Sequence, residues 1–418
     1  LYIDNDLELA EELLKKANEY PINQAYTALA NFYLGEIEHR KRDFDSSIQY
    51  VNKFLTLENI LESDFLKVEP KMAYYLQGYN YFKLNDFRLA LNFFLQAAEM
   101  MRASQNTDRA DRINRRLYAD VIVRIADCYF KENNYNSAGN YYGVASNIDF
   151  PSRDYAYFQR SMILGLQGKP YEKIVLLEEM IQETPSSEFI DDAFFQIGEA
   201  QLALNNSSES ERAFKKILNY RNETDLTIRA LLKLGLINYN KGDLNKAIEF
   251  YTQIFDYNPS NTEAQEALVA LEEIYIEDLA QADAFMKIIE DNTGYKLSDL
   301  ERDSLSFVAA QNKFENGEYI EAIDSYTSYI GRYPNGLNRL RALYNRAESN
   351  TILKKYSSAL PDYEAIIDYG RSQYYEDAIL KSALICYNDL QNFKRAFNFY
   401  ALLEDVSLDE KMVYNAQM

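Results

Sequence analysis

KMAYYLQGYNYFKLNDFRLALNFFLQAA, running from Lys71 to Ala98, decides how the rest of the chain is read. Tyr74, Gly78 and Tyr81 fall at i, i+4 and i+7, one helical stripe with a glycine where another backbone must come close. Asn85-Asp86 breaks the run, and Phe87, Ala90, Phe94 and Ala97 form a second stripe at helical spacing. The stretch predicts two short helices joined by a tight turn.

A small residue, an aromatic nine places later and a small residue three beyond that make a template that fits nine times. The matches are Gly35/Phe44/Ser47, Gly78/Phe87/Ala90, Ala126/Tyr135/Ala138, Met162/Tyr171/Ile174, Gly198/Ser207/Ser210, Gly235/Leu244/Ala247, Ala310/Tyr319/Ala322, Ala347/Tyr356/Ala359 and Leu384/Phe393/Ala396. Pro151, Pro185, Pro259 and Pro334 fall just past second helices, where a helix cannot continue. The pattern predicts an all-α array of antiparallel helical hairpins, each unable to bury its apolar face alone.

These residues resemble the tetratricopeptide repeat, whose pattern is an aromatic, Leu-Gly, Tyr, then Gly-x-Tyr-x-x-Ala, an aromatic and a closing Pro. Two copies carry the resemblance best. One runs from Leu231 through Gly235, Gly242, Leu244, Ala247 and Tyr251 to Pro259, the other from Gly317 through Tyr319, Ala322 and Tyr326 to Pro334. The family implies a superhelical solenoid of helix-turn-helix repeats that works by holding a partner. The departures are the lack of tryptophan, Ser207/Ser210, and bulky Met162 and Leu384 where glycine is usual.

With 65 acidic against 44 basic side chains the net charge is −21, a field that repels nucleic acid and anionic lipid. Two cysteines in 418 residues cannot build a disulfide framework; Cys128 and Cys386 share one helical slot, two places after their small residues, and read as buried packing. No apolar run reaches the length of a membrane span, and no signal-peptide pattern opens the sequence.

Leu7, Ala10, Leu14 and Ala17 before Pro21 read as a second helix without a first, and Met412 to Met418 as a first without a second. The expectation is a piece of a longer array. Ala28 to Leu55 is the first whole hairpin, followed by a longer joint, Thr56 to Pro70. Arg102, Arg109, Arg112, Arg115 and Arg116 form a basic concentration read as a solvated face paired with nearby acids. From Thr262 to Asn292 the helical pattern persists without its landmarks, a degenerate repeat. Residues 1–292 and 303–418 are thus expected to be two runs of one solenoid with a bend at 293–302. Asp303 to Phe307, with Tyr-Pro-Asn-Gly at 333–336, resembles the repeats of Gram-negative envelope proteins of the outer-membrane assembly and Tol-Pal-associated type. That resemblance favours the periplasm or cell envelope, with the cytoplasm as the alternative.

Catalytic chemistry finds no foothold in this composition. The one histidine, His39, sits beside Arg40-Lys41-Arg42 at a helix end and reads as exposed and structural. One His and two distant Cys leave no His/Cys metal set and no Cys-His dyad. Gly168-Lys169 lacks the Ser/Thr of a phosphate loop and falls in a hairpin turn. No enzyme, cofactor or metal is expected.

What remains is a surface. If the small residue is place 8 of each repeat, places 4, 7, 8 and 11 pack the hairpin, and 5, 9 and 12 lie on the adjacent face. Those places hold Tyr75, Tyr79 and Phe82; Val123 and Phe130; Phe195 and Leu202; Leu232, Leu236 and Tyr239; Phe307 and Phe314; and Tyr344. The family's first helices line a concave groove, so the resemblance makes these a ligand-facing stripe; the alternative is burial against neighbouring repeats. The family's carboxylate clamp, Lys at place 5 with Asn at place 9, is missing: the one lysine there, Lys381, is followed by Ile385. The reading is a scaffold for apolar or aromatic peptide segments, without nucleic acid or a membrane span. The alternative is a recruiting or regulatory module whose catalytic or DNA-binding domain lies elsewhere.

Overall fold

The computed structural model describes residues 7–20, 23–57, 69–103, 111–219 and 225–406, and every regular element in them is helical. The chain divides into two compact units at Arg221/Asn222. Unit 1 holds α1 (Leu7–Glu19) and five hairpins: α2 (Gln24–Arg40) with α3 (Phe44–Thr56), α4 (Pro70–Lys83) with α5 (Phe87–Ala103), α6 (Asp111–Lys131) with α7 (Tyr135–Ser146), α8 (Arg153–Leu166) with α9 (Pro170–Glu183), and α10 (Ile190–Ala203) with α11 (Ser207–Leu218). Unit 2 holds α12 (Asp225–Asn240) with α13 (Leu244–Gln253), α14 (Asn261–Glu272) with α15 (Ala282–Thr293), α16 (Asp299–Glu315) with α17 (Tyr319–Arg332), α18 (Arg339–Ile352) with α19 (Tyr356–Tyr369), and α20 (Tyr375–Leu384) with α21 (Phe393–Val406). Most of the Thr56–Pro70 joint, part of the basic stretch and all of 412–418 lie outside the described residues.

Each hairpin closes on its small residue. A Cβ added to Gly78 would stand 2.6 Å from the Phe94 ring, to Gly198 2.6 Å from Phe214, and to Gly235 2.5 Å from Tyr251. The residue packed on the small place is thus a second-helix ring, itself almost fully buried in all three hairpins. Where alanine replaces glycine the same slot holds Tyr142, Tyr326 and Tyr363, all buried. Seven places after the small residue the backbone turns left-handed, at Asn85 (φ 62°), Asn133 (60°), Asn205 (59°), Gly242 (76°) and Gly317 (78°), types that tolerate positive φ. In several hairpins an Asp or Asn follows the turn and caps the second helix: Asp43 accepts from the Ser46 N–H at 3.1 Å, Asp86 from that of Leu89 at 3.0 Å and Asn134 from that of Ser137 at 3.1 Å.

That left-handed residue corrects two of the sequence matches. In the fourth hairpin it is Gly168 (φ 69°), so the small place belongs to fully buried Ser161, and Met162 is its half-buried neighbour. In the last hairpin Ile385–Asp389 is π-helical, adding one residue before Gln391 (φ 50°). Fully buried Ala383 therefore takes the small place, and Leu384 points outward, 40% exposed. The same π-helical tail, Glu273–Asp278, precedes Ala280 (φ 53°) in the degenerate repeat, where the extra residue breaks any fixed spacing.

The 293–302 segment lies inside unit 2. Gly294 (φ 68°) ends α15, a Ser298/Glu301 capping box opens α16, and Glu290 pairs with Arg302 across the joint. Downstream, the Asp303 carboxylate accepts from the Tyr329 hydroxyl and from the Leu337 N–H at 2.8 Å. A Cβ on Gly336 would meet that hydroxyl at 2.7 Å, so the Tyr-Pro-Asn-Gly turn is shaped around a buried acid.

Candidate functional site

The stripe residues do not share one environment. Phe195 and Phe307 are core residues, 3% and 4% exposed, with ring centroids 5.4 Å from Phe214 and 5.6 Å from Tyr329. Val123 is fully buried too. Leu236 is the exposed member at 46%, and Tyr75, Tyr79, Phe82, Phe130, Leu202, Leu232, Tyr239, Phe314 and Tyr344 are half-buried. The place-12 rings have a fixed mate: Phe82 packs edge-on against Phe87 at 5.3 Å, Phe130 against Tyr135 at 5.5 Å and Phe314 against Tyr319 at 5.8 Å. The template's aromatic thus exists to hold the ring at the end of the first helix.

Several stripe tyrosines reach into the next repeat. Tyr75 and Tyr79 on α4 both donate to Asp120 Oδ2 on α6, at 2.7 and 2.8 Å, and the Arg124 guanidinium lies 5.8 Å from the Tyr79 ring centroid. Burial and then the Asp120 charge push the Tyr79 phenol up, which keeps it a donor. In unit 2 the arrangement recurs: Tyr344 on α18 donates to Asp377 Oδ2 at 2.5 Å, and Lys381, one turn after Asp377 on α20, sits 5.2 Å over the Tyr344 ring. A tyrosine, an acid in the next first helix and a cation four places on form an inter-repeat brace in both units. Lys381 also donates to Glu348 at 2.5 Å, which leaves it committed within the protein.

Beside the unit 1 brace a cleft of about 720 Å³ opens between the α7–α8 and α9–α10 joints. Its walls include Phe150, Tyr155 and Phe189, and Phe189 stacks on Phe158 of α8 at 5.3 Å. Arg124 enters from α6, donating to Asp127 at 2.6 Å, while Asp127 also accepts from Tyr142 at 2.5 Å and Tyr155 at 3.0 Å. Burial raises the Asp127 carboxyl above its ordinary value even so. Tyr155 and Phe158 are the ring-bearing places 2 and 5 of the fourth hairpin. The one-residue slip onto Met162 hid them; the Gly168 turn was the signal that would have set the register.

His39 is half-buried rather than exposed, with Nδ1 2.6 Å from Asn80 Oδ1 and its ring against Phe44. Cys128 and Cys386 are fully buried, and burial pushes the Cys128 thiol up to about 12. Arg102, Arg115 and Arg116 are exposed; Arg109 and the Arg112 side chain lie outside the described residues. Among the described residues no helix is long and apolar enough to cross a membrane.

Paired helices, small places under buried rings and left-handed turns define an all-α tetratricopeptide-repeat protein, a class that serves as protein-interaction scaffolds and is typically non-catalytic. Tetratricopeptide repeat is also the family whose pattern matches residues 73–102 and 228–261. No curated protein matches the sequence. Similar solved structures include the C-terminal part of a TPR repeat-containing protein from Cytophaga hutchinsonii, at 14% identity over 75% of this chain and 99% of that one, TM-score 0.46. Others are PilF of Pseudomonas aeruginosa (13%, 57% and 95%, TM-score 0.38) and the apo quorum sensor NprR of B. thuringiensis (12%, 85% and 91%, TM-score 0.39). At these identities the likeness is one of fold alone.

Proposed function

We propose that this protein holds an extended peptide segment bearing apolar and aromatic side chains, along the first-helix face of unit 1, as part of a bacterial cell-envelope complex. The observation that carries it is the half-buried rings on successive first helices of unit 1, Phe82, Phe130 and Phe158, the last stacked on Phe189 in the wall of the 720 Å³ cleft. That volume lies within the roughly 300–1,000 Å³ of ligand pockets. Tyr75 and Tyr79 tie the first helix that carries Phe82 to the one that carries Phe130 through Asp120, and Leu236 with Leu232 and Tyr239 offers a smaller apolar surface in unit 2. The envelope setting rests on the resemblance of the Asp303–Phe307 and 333–336 repeats.

A random peptide display library panned against the purified protein tests this. Selected peptides should carry apolar or aromatic residues, and Phe130→Ser with Phe158→Ser should weaken them by about 2 kcal/mol or more, the scale of aromatic anchors. Helical circular dichroism should be unchanged. Absence of selection, or binding that survives while the melting temperature collapses, would show that these rings are packing only.

A further inference from the structure

The cleft has a charge pattern as well as aromatic walls. It is lined by four carboxylates, Asp149, Asp154, Glu183 and Glu188, and two guanidiniums, Arg124 and Arg153. Both guanidiniums are already paired with acids, the Arg124 Nε alone being buried without a partner. Arg124 donates to Asp127 at 2.6 Å, and Arg153 donates to the Ser146 carbonyl at 2.6 Å and to Glu183 at 3.2 Å. Asp154 is taken up by the Tyr155 N–H at 2.8 Å and the Ser187 hydroxyl at 2.6 Å. That leaves Asp149 and Glu188, both exposed and neither ion-paired to a described residue, in the same cleft as the Tyr155 and Phe189 rings, whose centroids are 6.2 Å apart.

The geometry points to a cationic side chain, a lysine or arginine of the bound segment, as the occupant of this cleft. The inference rests on the peptide-binding reading and names the chemistry that reading leaves open. A cation meets two uncommitted carboxylates and aromatic faces whose quadrupoles attract positive charge, and it displaces no existing pair. An anion would face Asp149, Asp154, Glu183 and Glu188 and a net charge of −21, with both guanidiniums already paired to acids. A neutral ring would strip water from Asp149 and Glu188 and return nothing to them. A basic segment is also the partner that the field of this acidic chain draws in fastest.

The test uses the same peptide display selection on the intact protein, followed by fluorescence anisotropy of one selected peptide. Selected sequences should place Lys or Arg beside an aromatic or apolar residue. Replacing that cation by Gln, or introducing Asp149→Asn with Glu188→Gln in the protein, should each weaken binding about tenfold, and the two together should weaken it little more. Selected peptides without a cation, or binding indifferent to the Asp149/Glu188 variant, overturn the inference and leave the peptide-binding reading standing. No selection at all overturns both. Because the two acids are exposed, an unchanged melting temperature of the variant separates loss of binding from loss of fold.

Discussion

Gly78→Ala is the sharpest probe of how the hairpins close. The new Cβ would fall 2.6 Å from two carbons of the Phe94 ring and 2.9 Å from a third, and Phe94 is fully buried, so the ring must shift as a body. Overpacking of this kind costs roughly 1–3 kcal/mol. The better helix propensity of alanine returns about 1 kcal/mol. A net loss of up to about 2 kcal/mol follows, read as a lower urea midpoint by far-ultraviolet circular dichroism. Gly139→Ala, in α7 of the same unit, is the control. Its Cβ would sit 3.6 Å from Ile163, an ordinary contact, so only the propensity gain of about 0.5–1 kcal/mol remains and the midpoint should rise. Phe94→Leu in the Gly78→Ala background should recover part of the loss, because the smaller side chain vacates the space the Cβ needs. If Gly78→Ala raises the midpoint as Gly139→Ala does, the small place is not where the two helices meet and the closure argument fails.

Removing the Arg346 partner of Asp362, which it contacts with Nε at 2.8 Å and Nη2 at 2.6 Å, strands an acid whose side chain is 6% exposed; Arg346→Ala should cost about 3 kcal/mol in a denaturation curve. Asp120→Ala leaves the Tyr75 and Tyr79 hydroxyls without their acceptor, and should lower stability by about 1–3 kcal/mol, faster amide exchange in α4 and α6 being the local readout. Glu11 is held down to about 2 from 4.5 by Lys15 and then Lys41. A depressed carboxyl stabilises above its unfolded value and loses that contribution as pH falls, so amide protection of α1 should decline between pH 4.5 and about 2. Since burial holds the Cys128 thiol near 12 and raises Cys386 as well, neither should react with a thiol reagent at pH 8 until the protein is unfolded.

The hairpins were legible because their spacing repeats and their landmarks are local. Tyr74, Gly78 and Tyr81 announce one helix, Asn85 its end and Phe87 the start of the next, all within one stretch of sequence. The contact that closes each hairpin was harder to see. Phe94 lies sixteen positions past Gly78, in another helix, and only the fold shows that its ring rather than that of Phe87 covers the glycine. Register failed where a one-residue change leaves the apolar pattern nearly intact. Ser161 and Met162 are adjacent, and the π-helical turn at Ile385–Asp389 shifts everything after it by one residue. The stripe was only half legible for a related reason. Periodicity reports which residues leave the hairpin core but not whether the next repeat then covers them. Tyr79 packs edge-on against Phe94 of its own hairpin at 5.4 Å, and its hydroxyl ends on Asp120 of the following one.

The acidic, tyrosine-rich composition follows from how neighbouring helices are joined. A tyrosine ring can fill the space between two helices, but its hydroxyl then needs an acceptor in a place water reaches poorly. Carboxylates supply it repeatedly: Asp120 for Tyr75 and Tyr79, Asp127 for Tyr142 and Tyr155, Asp303 for Tyr329, Glu348 for Tyr363 and Asp377 for Tyr344. A charged acceptor makes each bond about twice as strong as a neutral one, and where it spans two repeats it adds to the nearest-neighbour coupling that holds a repeat array together. With 36 tyrosines and no tryptophan, the chain draws on this pairing throughout. Once the internal acids are spent on tyrosines, arginines and caps, those left at a surface are free to select a partner. At the mouth of the unit 1 cleft these are Asp149 and Glu188, so the composition that joins the repeats also leaves that cleft suited to a positive charge.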